Sequence, residues 1–223
     1  MEGTALKSRI LIVDDHPLIR GGLVELISRE PDMEVCGQAS SGREAIEAIA
    51  SLAPDLAVLD LALEDMDGMD LLREVHTRHE RTLVLVLSRH EEALFAERAL
   101  RAGARGYVMK HEGLLTVLKA LRQVLAGDVF LSDQMRSKVL RNLVGGKRRG
   151  ENSPPSSLSD RELQVFTMIG QGLGPTAIAQ RLHLSVKTID AHRARIKVKL
   201  GLGSAEELRQ SAIAWLRDHD VSA

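Results

Sequence analysis

The sequence Ile10-Leu11-Ile12-Val13-Asp14-Asp15 places two carboxylates directly after four aliphatic residues. An uninterrupted aliphatic run is typical of a strand in a parallel sheet that is covered on both faces. Four further short, mainly apolar segments occupy residues 33–36, 56–59, 83–87 and 106–109. The sequence therefore predicts five strands of a parallel sheet, the first of them ending at an aspartate pair.

Segments of helical length lie between and after these strands. Their apolar residues recur three and four positions apart, as in Leu114, Leu118, Leu121 and Leu125, which is typical of a helix with one buried face. The predicted helices are 17–29, 42–52, 67–78, 91–102 and 113–126. This alternation predicts an α/β domain over residues 1–128, built on a doubly wound, five-stranded parallel sheet.

The composition indicates two folded halves of different character. The 223 residues are 44% hydrophobic and 27% charged, which excludes a disordered chain. The formal net charge of −1 excludes a uniformly basic nucleic-acid binder, but it hides an uneven distribution. Residues 1–128 carry 15 Lys and Arg against 22 Asp and Glu, whereas residues 129–223 carry 15 against 9. An acidic half joined to a basic half indicates two roles on one chain.

The basic half is predicted to be a linker followed by a small all-α domain. Residues 129–157 form the linker, with a helix through 132–143 and almost nothing to bury from 145 to 157. Residues 158–223 contain helix signals and no strand signals. Ser159 and Glu162 have the spacing of a capping box, which opens the first of four helices.

The other three helices of this domain also have recognisable beginnings. Pro175 suits the first position of a second helix, and Ser185 and Ser204 can cap a third at 186–200 and a fourth at 204–217. A short helix, a tight turn and a longer helix have the proportions of a helix-turn-helix.

Cysteine content and hydropathy limit where the protein works. A single cysteine excludes an intramolecular disulfide and a multi-cysteine zinc site. No apolar stretch approaches the roughly 20 residues that span a bilayer, and the amino terminus has no signal-peptide pattern. We therefore expect a soluble cytoplasmic protein without membrane insertion.

Polar side chains stand at the ends of four predicted strands. They are Asp14, Asp15, Asp60, Ser88 and Lys110. Each alone has a simpler structural explanation as a helix cap or a solvated charge, but ligands of doubly wound sheets bind at this edge. Three converging carboxylates repel one another unless a cation lies among them, and hard oxygen ligands suit Mg²⁺. The pattern therefore predicts that one aspartate accepts a phosphoryl group beside a magnesium ion.

These motifs carry a family resemblance that covers all but the linker and the termini. The segments 9–16, 60–68, 87–88 and 102–110 together resemble the receiver domain of two-component response regulators. The segments 158–162, 185–192 and 199–201 resemble a LuxR-type helix-turn-helix domain. The combination is similar to the NarL/FixJ class of response regulators.

The resemblance implies a role for each strand-end residue. Asp60 would be the phosphoacceptor, and Mg²⁺ would be held by Asp14, Asp15, Asp60 and the backbone carbonyl of Ala62. Lys110 would pair with the phosphate, and Ser88 and Tyr107 would form the switch pair. Glu64 stands where the family often has Pro, so we expect the loop after Asp60 to be less rigid than usual.

The predicted helix 186–200 is the candidate DNA-reading element. A helical wheel at about 100° per residue places Val186, Ile189, Ile196 and Leu200 inward. The opposite face predicts base contacts by Lys187, Asp190, Ala191 and Ala194, and backbone contacts by Thr188, Arg193, Arg195, Lys197 and Lys199. A basic helix face can also be merely solvated.

The resemblance implies a transcription factor whose partners are a sensor histidine kinase and double-stranded promoter DNA. Phosphorylated chains would form homodimers on paired half-sites, and enzymatic activity would be limited to slow self-phosphorylation and self-dephosphorylation. Two alternatives remain open. A phosphohydrolase would also use a strand-end aspartate with Mg²⁺, but Ala62 replaces the second carboxylate that such enzymes need. DNA binding could also be independent of phosphate, with the first domain serving for dimerisation.

Overall fold

The computed structural model describes residues 6–89, 92–137 and 157–218. The chain divides into two compact units, residues 1–139 and 140–223, and each is described by itself.

The first unit is the predicted α/β domain. Its elements are β1 (Ser8–Val13), α1 (Pro17–Ser28), β2 (Met33–Ala39), α2 (Gly42–Leu52), β3 (Leu56–Leu59), α3 (Gly68–Arg78), β4 (Leu83–Ser88), α4 (Glu92–Arg101), β5 (Gly106–Met109) and α5 (Leu114–Leu125). The strands are all parallel, in the order β2-β1-β3-β4-β5. This doubly wound arrangement confirms the predicted fold class.

The aliphatic runs form the centre of this unit. Strands β3 and β5 are buried along their whole length, because helices cover both faces of the sheet. Ile10 and Ile12 of β1 pack with Leu121 and Val124 of α5 in one core cluster. Residues with polar side chains are therefore confined to the ends of the central strands.

The chain after α5 returns along the edge of the sheet. Phe130 forms a parallel bridge with Gly106, and its carbonyl accepts a hydrogen bond of 3.0 Å from the Tyr107 amide. Ser132 then begins helix α6, which is described at 133–137, and its amide donates to Glu92 Oε1 over 2.9 Å. Residues 129–137 of the predicted linker thus pack against the first unit. Residues 138–156, with the rest of the predicted linker helix, lie outside the described residues.

The second unit is all helical. It contains α7 (Asp160–Gly170), α8 (Pro175–Arg181), α9 (Val186–Leu200) and α10 (Ala205–Asp218), which confirms the four predicted helices. The predicted capping box is present, since Ser159 and Glu162 each accept from the other's backbone amide. Trp215 of α10 lies against Phe166 of α7, with ring centroids 5.7 Å apart.

None of the helices in the described ranges combines the length and the apolar character that crossing a bilayer requires.

Candidate functional site

Two buried aspartates meet at the carboxyl end of the sheet. Asp14 follows β1 and Asp60 follows β3, and these strands are neighbours. The Asp60 amide donates to the carbonyl of Val13 over 2.9 Å, so the sheet's own hydrogen bonding brings the two together. Their exposed fractions are 2% and 1%. Two carboxylates at such depth need a positive partner.

Lys110 is that partner. Its ammonium lies 2.6 Å from Asp14 Oδ2 and 2.5 Å from Asp60 Oδ2, and only 4% of its side chain is exposed. The Lys110 amide donates to the carbonyl of Ser88 over 2.8 Å, which continues the pairing of β5 with β4 and aims the side chain at the aspartates.

Opposing electrostatic effects act on Asp60. Burial raises the pKa of Asp60, the charge of Lys110 opposes that rise, and the charge of Asp14 adds to it. The Ala62 amide also donates to Asp60 Oδ1 over 3.2 Å. The Asp60 carboxylate is thus shielded from water, and within the described residues it contacts one cation, Lys110, and one backbone amide, that of Ala62.

Asp15 and His16 complete the cluster. Asp15 Oδ1 and His16 Nδ1 face each other, yet each is buried without a hydrogen-bond partner in the described part of the chain. One ligand atom each from Asp14, Asp15, His16 and Asp60 lies within 4.8 Å of the others. His16 was not among the predicted site residues, although it directly follows the aspartate pair.

Ser88 and Tyr107 lie on adjacent strands beside the aspartates. Ser88 ends β4 and is fully buried, and Tyr107 is 1% exposed. Tyr107 pairs in register with Val86 of β4. The Tyr107 ring therefore occupies the inward, buried position in this structure.

The loop that carries Glu64 is tied to a helix. Asp65 accepts from the amides of Gly42 and Arg43, over 2.8 and 3.1 Å, at the start of α2. Burial raises the pKa of Asp65, but these amides lower it more, and the net direction is downward. The carboxylate tether restrains the loop at a point where the expected proline is missing.

Helix α9 presents the predicted base-reading face to solvent. Lys187, Asp190, Ala191 and Ala194 are all exposed, and so is Val198, at 82%. Ile189 and Ile196 are fully buried, as predicted. The inward placement of Val186 is wrong, since it is 41% exposed. As the first residue of α9, Val186 lies at the edge of the core.

Three residues predicted to contact the DNA backbone already have partners. Lys199 Nζ lies 2.6 Å from Glu162 Oε2, Arg193 Nη1 lies 3.0 Å from Asp190 Oδ1, and the Thr188 hydroxyl lies 2.8 Å from that of Ser185. Arg193 and Lys199 are therefore held against carboxylates of this unit, and Thr188 belongs to the cap of α9.

The other two cations are more available. Arg195 contacts His192 Nδ1 over 2.9 Å with its guanidinium, and more than half of its side chain is exposed. Lys197 has no recorded polar partner within the residues that the structure describes. Burial lowers the pKa of His192.

Comparison with known proteins identifies the same two halves. Residues 10–122 match the family described as "Response regulator receiver domain", and residues 156–212 match "Bacterial regulatory proteins, luxR family". A putative transcriptional regulator of Pseudomonas aeruginosa is 37% identical over 214 residues, covering 96% of this chain and 99% of that relative. The nitrate/nitrite response regulator protein NarL of Escherichia coli is 35% identical over 214 residues, covering 95% and 96%.

A solved structure supports the fold. A LuxR-family two-component response regulator from Aurantimonas superposes with a TM-score of 0.58 and 31% identity, covering 62% of this chain and 99% of that chain. The resemblance inferred from the strand-end residues and the helix-turn-helix segments is thereby confirmed.

Proposed function

We propose, because this chain belongs to the response regulators of the luxR family, that phosphorylation of Asp60 by a partner histidine kinase controls how its second unit binds promoter DNA. The observation that carries the proposal is the pairing of Lys110 with both Asp14 and Asp60, in a cluster that is almost completely buried. Such an arrangement places negative carboxylates that can bind a cation next to an ammonium group that can bind a phosphoryl group.

The donor set suits magnesium. The carboxylates of Asp14, Asp15 and Asp60 supply hard oxygen ligands, which Mg²⁺ prefers. Within the described residues, the buried Asp15 Oδ1 faces His16 Nδ1 and accepts no hydrogen bond, and a bound cation or water would satisfy it. These three carboxylates, with the carbonyl of Ala62, would hold the ion, which would neutralise charge on the incoming phosphoryl oxygens.

The chain's own residues then have distinct tasks in phosphoryl transfer. A carboxylate oxygen of Asp60 forms the bond to phosphorus as the bond from phosphorus to the kinase histidine nitrogen breaks. Lys110, which pairs with Asp14 and Asp60 beforehand, donates to an oxygen of the transferred group, and the Ser88 hydroxyl donates to another. The buried walls exclude bulk water and so favour retention of the acyl phosphate.

Phosphorylation can change the position of the segment at the start of the linker. Ser88 ends β4, and the helix that follows this strand, α4, begins at Glu92, whose carboxylate accepts a hydrogen bond from the Ser132 amide. Tyr107 of β5 is joined through its amide to Phe130. A shift of Ser88 and Tyr107 toward the phosphoryl group would therefore move two attachments of the segment 129–137. To reverse a 1:99 population, the group must favour the active conformation by about 5.5 kcal/mol.

The second unit would read DNA with α9 in the major groove. Lys187, Asp190, Ala191 and Ala194 face bases, and Lys197 and Arg195 are the cations best placed for phosphates. Thr188, Arg193 and Lys199 contribute to the same surface, the last two from within ion pairs. Phosphorylated chains pair as homodimers on two half-sites. The protein acts as a transcription factor, and its catalysis is limited to slow self-phosphorylation and self-dephosphorylation.

The test compares the wild-type chain with Asp60→Asn and with Glu64→Gln, a matched loss of charge at an exposed position of the same loop. Each is incubated with acetyl phosphate and Mg²⁺, and phosphorylation is measured by phosphate-affinity electrophoresis. Binding to DNA selected from a random pool is measured by gel shift. We expect stimulation in the wild type and Glu64→Gln and none in Asp60→Asn. Equal stimulation in Asp60→Asn would refute the proposal.

Light scattering with and without the phosphodonor distinguishes this function from phosphate-independent DNA binding. We expect the dimer fraction to rise on phosphorylation, whereas a permanent dimer would support the alternative.

A further inference from the structure

Asp190 is an unusual residue on the exposed face of α9. The helix carries five cationic residues, Lys187, Arg193, Arg195, Lys197 and Lys199, and Asp190 is its only carboxylate. A carboxylate close to phosphates is repelled, so in a DNA complex it is stable only where it meets a hydrogen-bond donor. In the major groove the donors are the exocyclic amino groups of the bases.

The geometry prepares Asp190 for such a contact. Arg193 Nη1 holds Asp190 Oδ1 over 3.0 Å, and the Arg193 side chain is only 26% exposed, whereas that of Asp190 is 57% exposed. The second oxygen, Oδ2, has no recorded partner within the described residues. Arg193 thus fixes the carboxylate from the less exposed side, and Oδ2 is left open to accept a hydrogen bond.

Neighbouring side chains leave room for a base edge. Ala191 and Ala194 are exposed and extend no further than a methyl group, so they allow the helix backbone to approach the groove closely. Asp190 also lies in the first half of α9, and the amino-terminal residues of a recognition helix contact base edges.

From these observations we propose that Asp190 is a specificity-determining residue that selects cytosine, through its N4 amino group, at one position of each half-site. This inference rests on the proposed DNA-binding function. Guanine and thymine present acceptor oxygens, which an acceptor-only carboxylate repels. Adenine offers a donor, but its N7 acceptor lies beside it, whereas cytosine presents only the N4 donor. Arg193 acts through Asp190 as a positioning residue.

The proposal predicts a change of base preference when one oxygen becomes an amide nitrogen. Asparagine makes a two-point contact with adenine N6 and N7. Asp190→Asn should therefore change the preferred base at that position from cytosine to adenine, while Asp190→Ala should abolish the preference. A good base contact is worth about 5- to 150-fold in affinity over the wrong base.

The experiment uses the full chain treated with acetyl phosphate and Mg²⁺. Wild type, Asp190→Asn and Asp190→Ala each select from the same pool of random duplexes, and the selected duplexes are re-measured by titration with the base at the candidate position changed. Lys197→Ala is the matched control. It should weaken binding to all sequences alike and lower the salt slope by about one, without altering base preference.

Each outcome has a definite meaning. Loss of the cytosine preference in Asp190→Ala, with its replacement by adenine in Asp190→Asn, supports the proposal. The same preferred base in all three chains overturns it, as does tighter binding of Asp190→Ala to every sequence with no change of preference. If the wild-type chain enriches no sequence, the proposed DNA-binding function fails first, and the assignment of Asp190 fails with it.

Arg193→Met tests whether Arg193 positions the carboxylate, because a purely structural role would not affect base preference. The ratio of affinities for duplexes with cytosine and with another base at that position should fall several-fold. Loss of a backbone contact alone would weaken binding to both duplexes alike and leave this ratio unchanged. An unaltered cytosine preference would show that Arg193 does not position the carboxylate.

Discussion

Substitution of Glu162 by glutamine tests how the second unit is held together. Only 4% of the Glu162 side chain is exposed. Its Oε2 accepts from Lys199 Nζ over 2.6 Å and from the Ser159 amide over 2.8 Å, and Arg195 Nε lies 3.6 Å from Oε1. This carboxylate therefore joins the start of α7 to the end of α9.

The expected loss can be worked from these contacts. A hydrogen bond to a charged group contributes about 1.5–3 kcal/mol and a neutral one about 0.5–1.5. Glu162→Gln removes the negative charge from the acceptor of both Oε2 bonds, at about 1 kcal/mol each, and we expect a total loss of about 2 kcal/mol. Lys199 is 39% exposed, and solvent screening of its charge limits the loss to this order.

The assay uses the single tryptophan of the chain. Trp215 is 7% exposed and contacts Phe166 of α7, so its fluorescence during urea unfolding reports on the second unit. Glu206→Gln is the matched control, because Glu206 pairs with Arg209 where both side chains are more than half exposed. Solvent screens the charges of such an exposed pair, and we expect little change in stability.

The pH dependence provides a second check on Glu162. Burial raises its pKa, but the bonds from Lys199 and Ser159 outweigh this effect and lower the pKa from its ordinary 4.5. A carboxyl with a lowered folded-state pKa stabilises the fold fully above its unfolded-state pKa, and the stabilisation is lost as the pH falls through the folded-state pKa. The difference between wild type and Glu162→Gln should therefore be constant near neutral pH and shrink below pH 4.5. A loss under about 0.5 kcal/mol at neutral pH, or a difference that persists in acid, would refute the reasoning.

Three further substitutions test other features. Gly68→Ala would place a Cβ 2.4 Å from the backbone Cα of Leu61, so calorimetry should show the first unit destabilised by at least about 2 kcal/mol; an unchanged midpoint would contradict this. His183 has a φ of +51°, and His183→Gly should stabilise the second unit by up to about 1 kcal/mol in urea unfolding followed by tryptophan fluorescence. Lys110→Met removes the cation between Asp14 and Asp60, which should cost about 3–5 kcal/mol. Mg²⁺ should then raise its unfolding temperature more than that of wild type, and an equal response would contradict the magnesium assignment.

Much of the first unit was predictable because its signals are local. Aliphatic runs mark strands whatever lies around them, and parallel pairing brings their ends to one edge of the sheet. Asp14, Asp60 and Lys110 could therefore be placed together from sequence alone. Helical periodicity likewise placed Ile189 and Ile196 in the core of the second unit. It failed for Val186, because a helical wheel gives the direction of a side chain and does not show where along the helix the core ends.

The missed features depend on residues far apart in the chain. The Asp65 carboxylate binds amides 22 and 23 residues away, and Phe130 forms its bridge with Gly106 across a whole helix. Lys199 was predicted to contact DNA because it lies on a basic helix, and its pairing with Glu162 follows from the packing of α9 on α7. Sequence periodicity carries no information about such partners.

Two buried carboxylate sites within the described residues pair with a lysine, and their surroundings show why one is a candidate reaction centre and the other a structural link. In the second unit, Glu162 faces Lys199, Arg195 and the Ser159 amide. A ligand that bound Glu162 would have to displace these groups, and it would find no unpaired donor or acceptor there to compensate for the lost contacts. In the first unit, Lys110 is shared between two carboxylates, and Asp15 Oδ1 beside them lies against His16 Nδ1 but accepts no hydrogen bond within the described residues. A cation entering there would bind an unsatisfied oxygen and leave the lysine available for a phosphoryl group, so only the first cluster gains by binding.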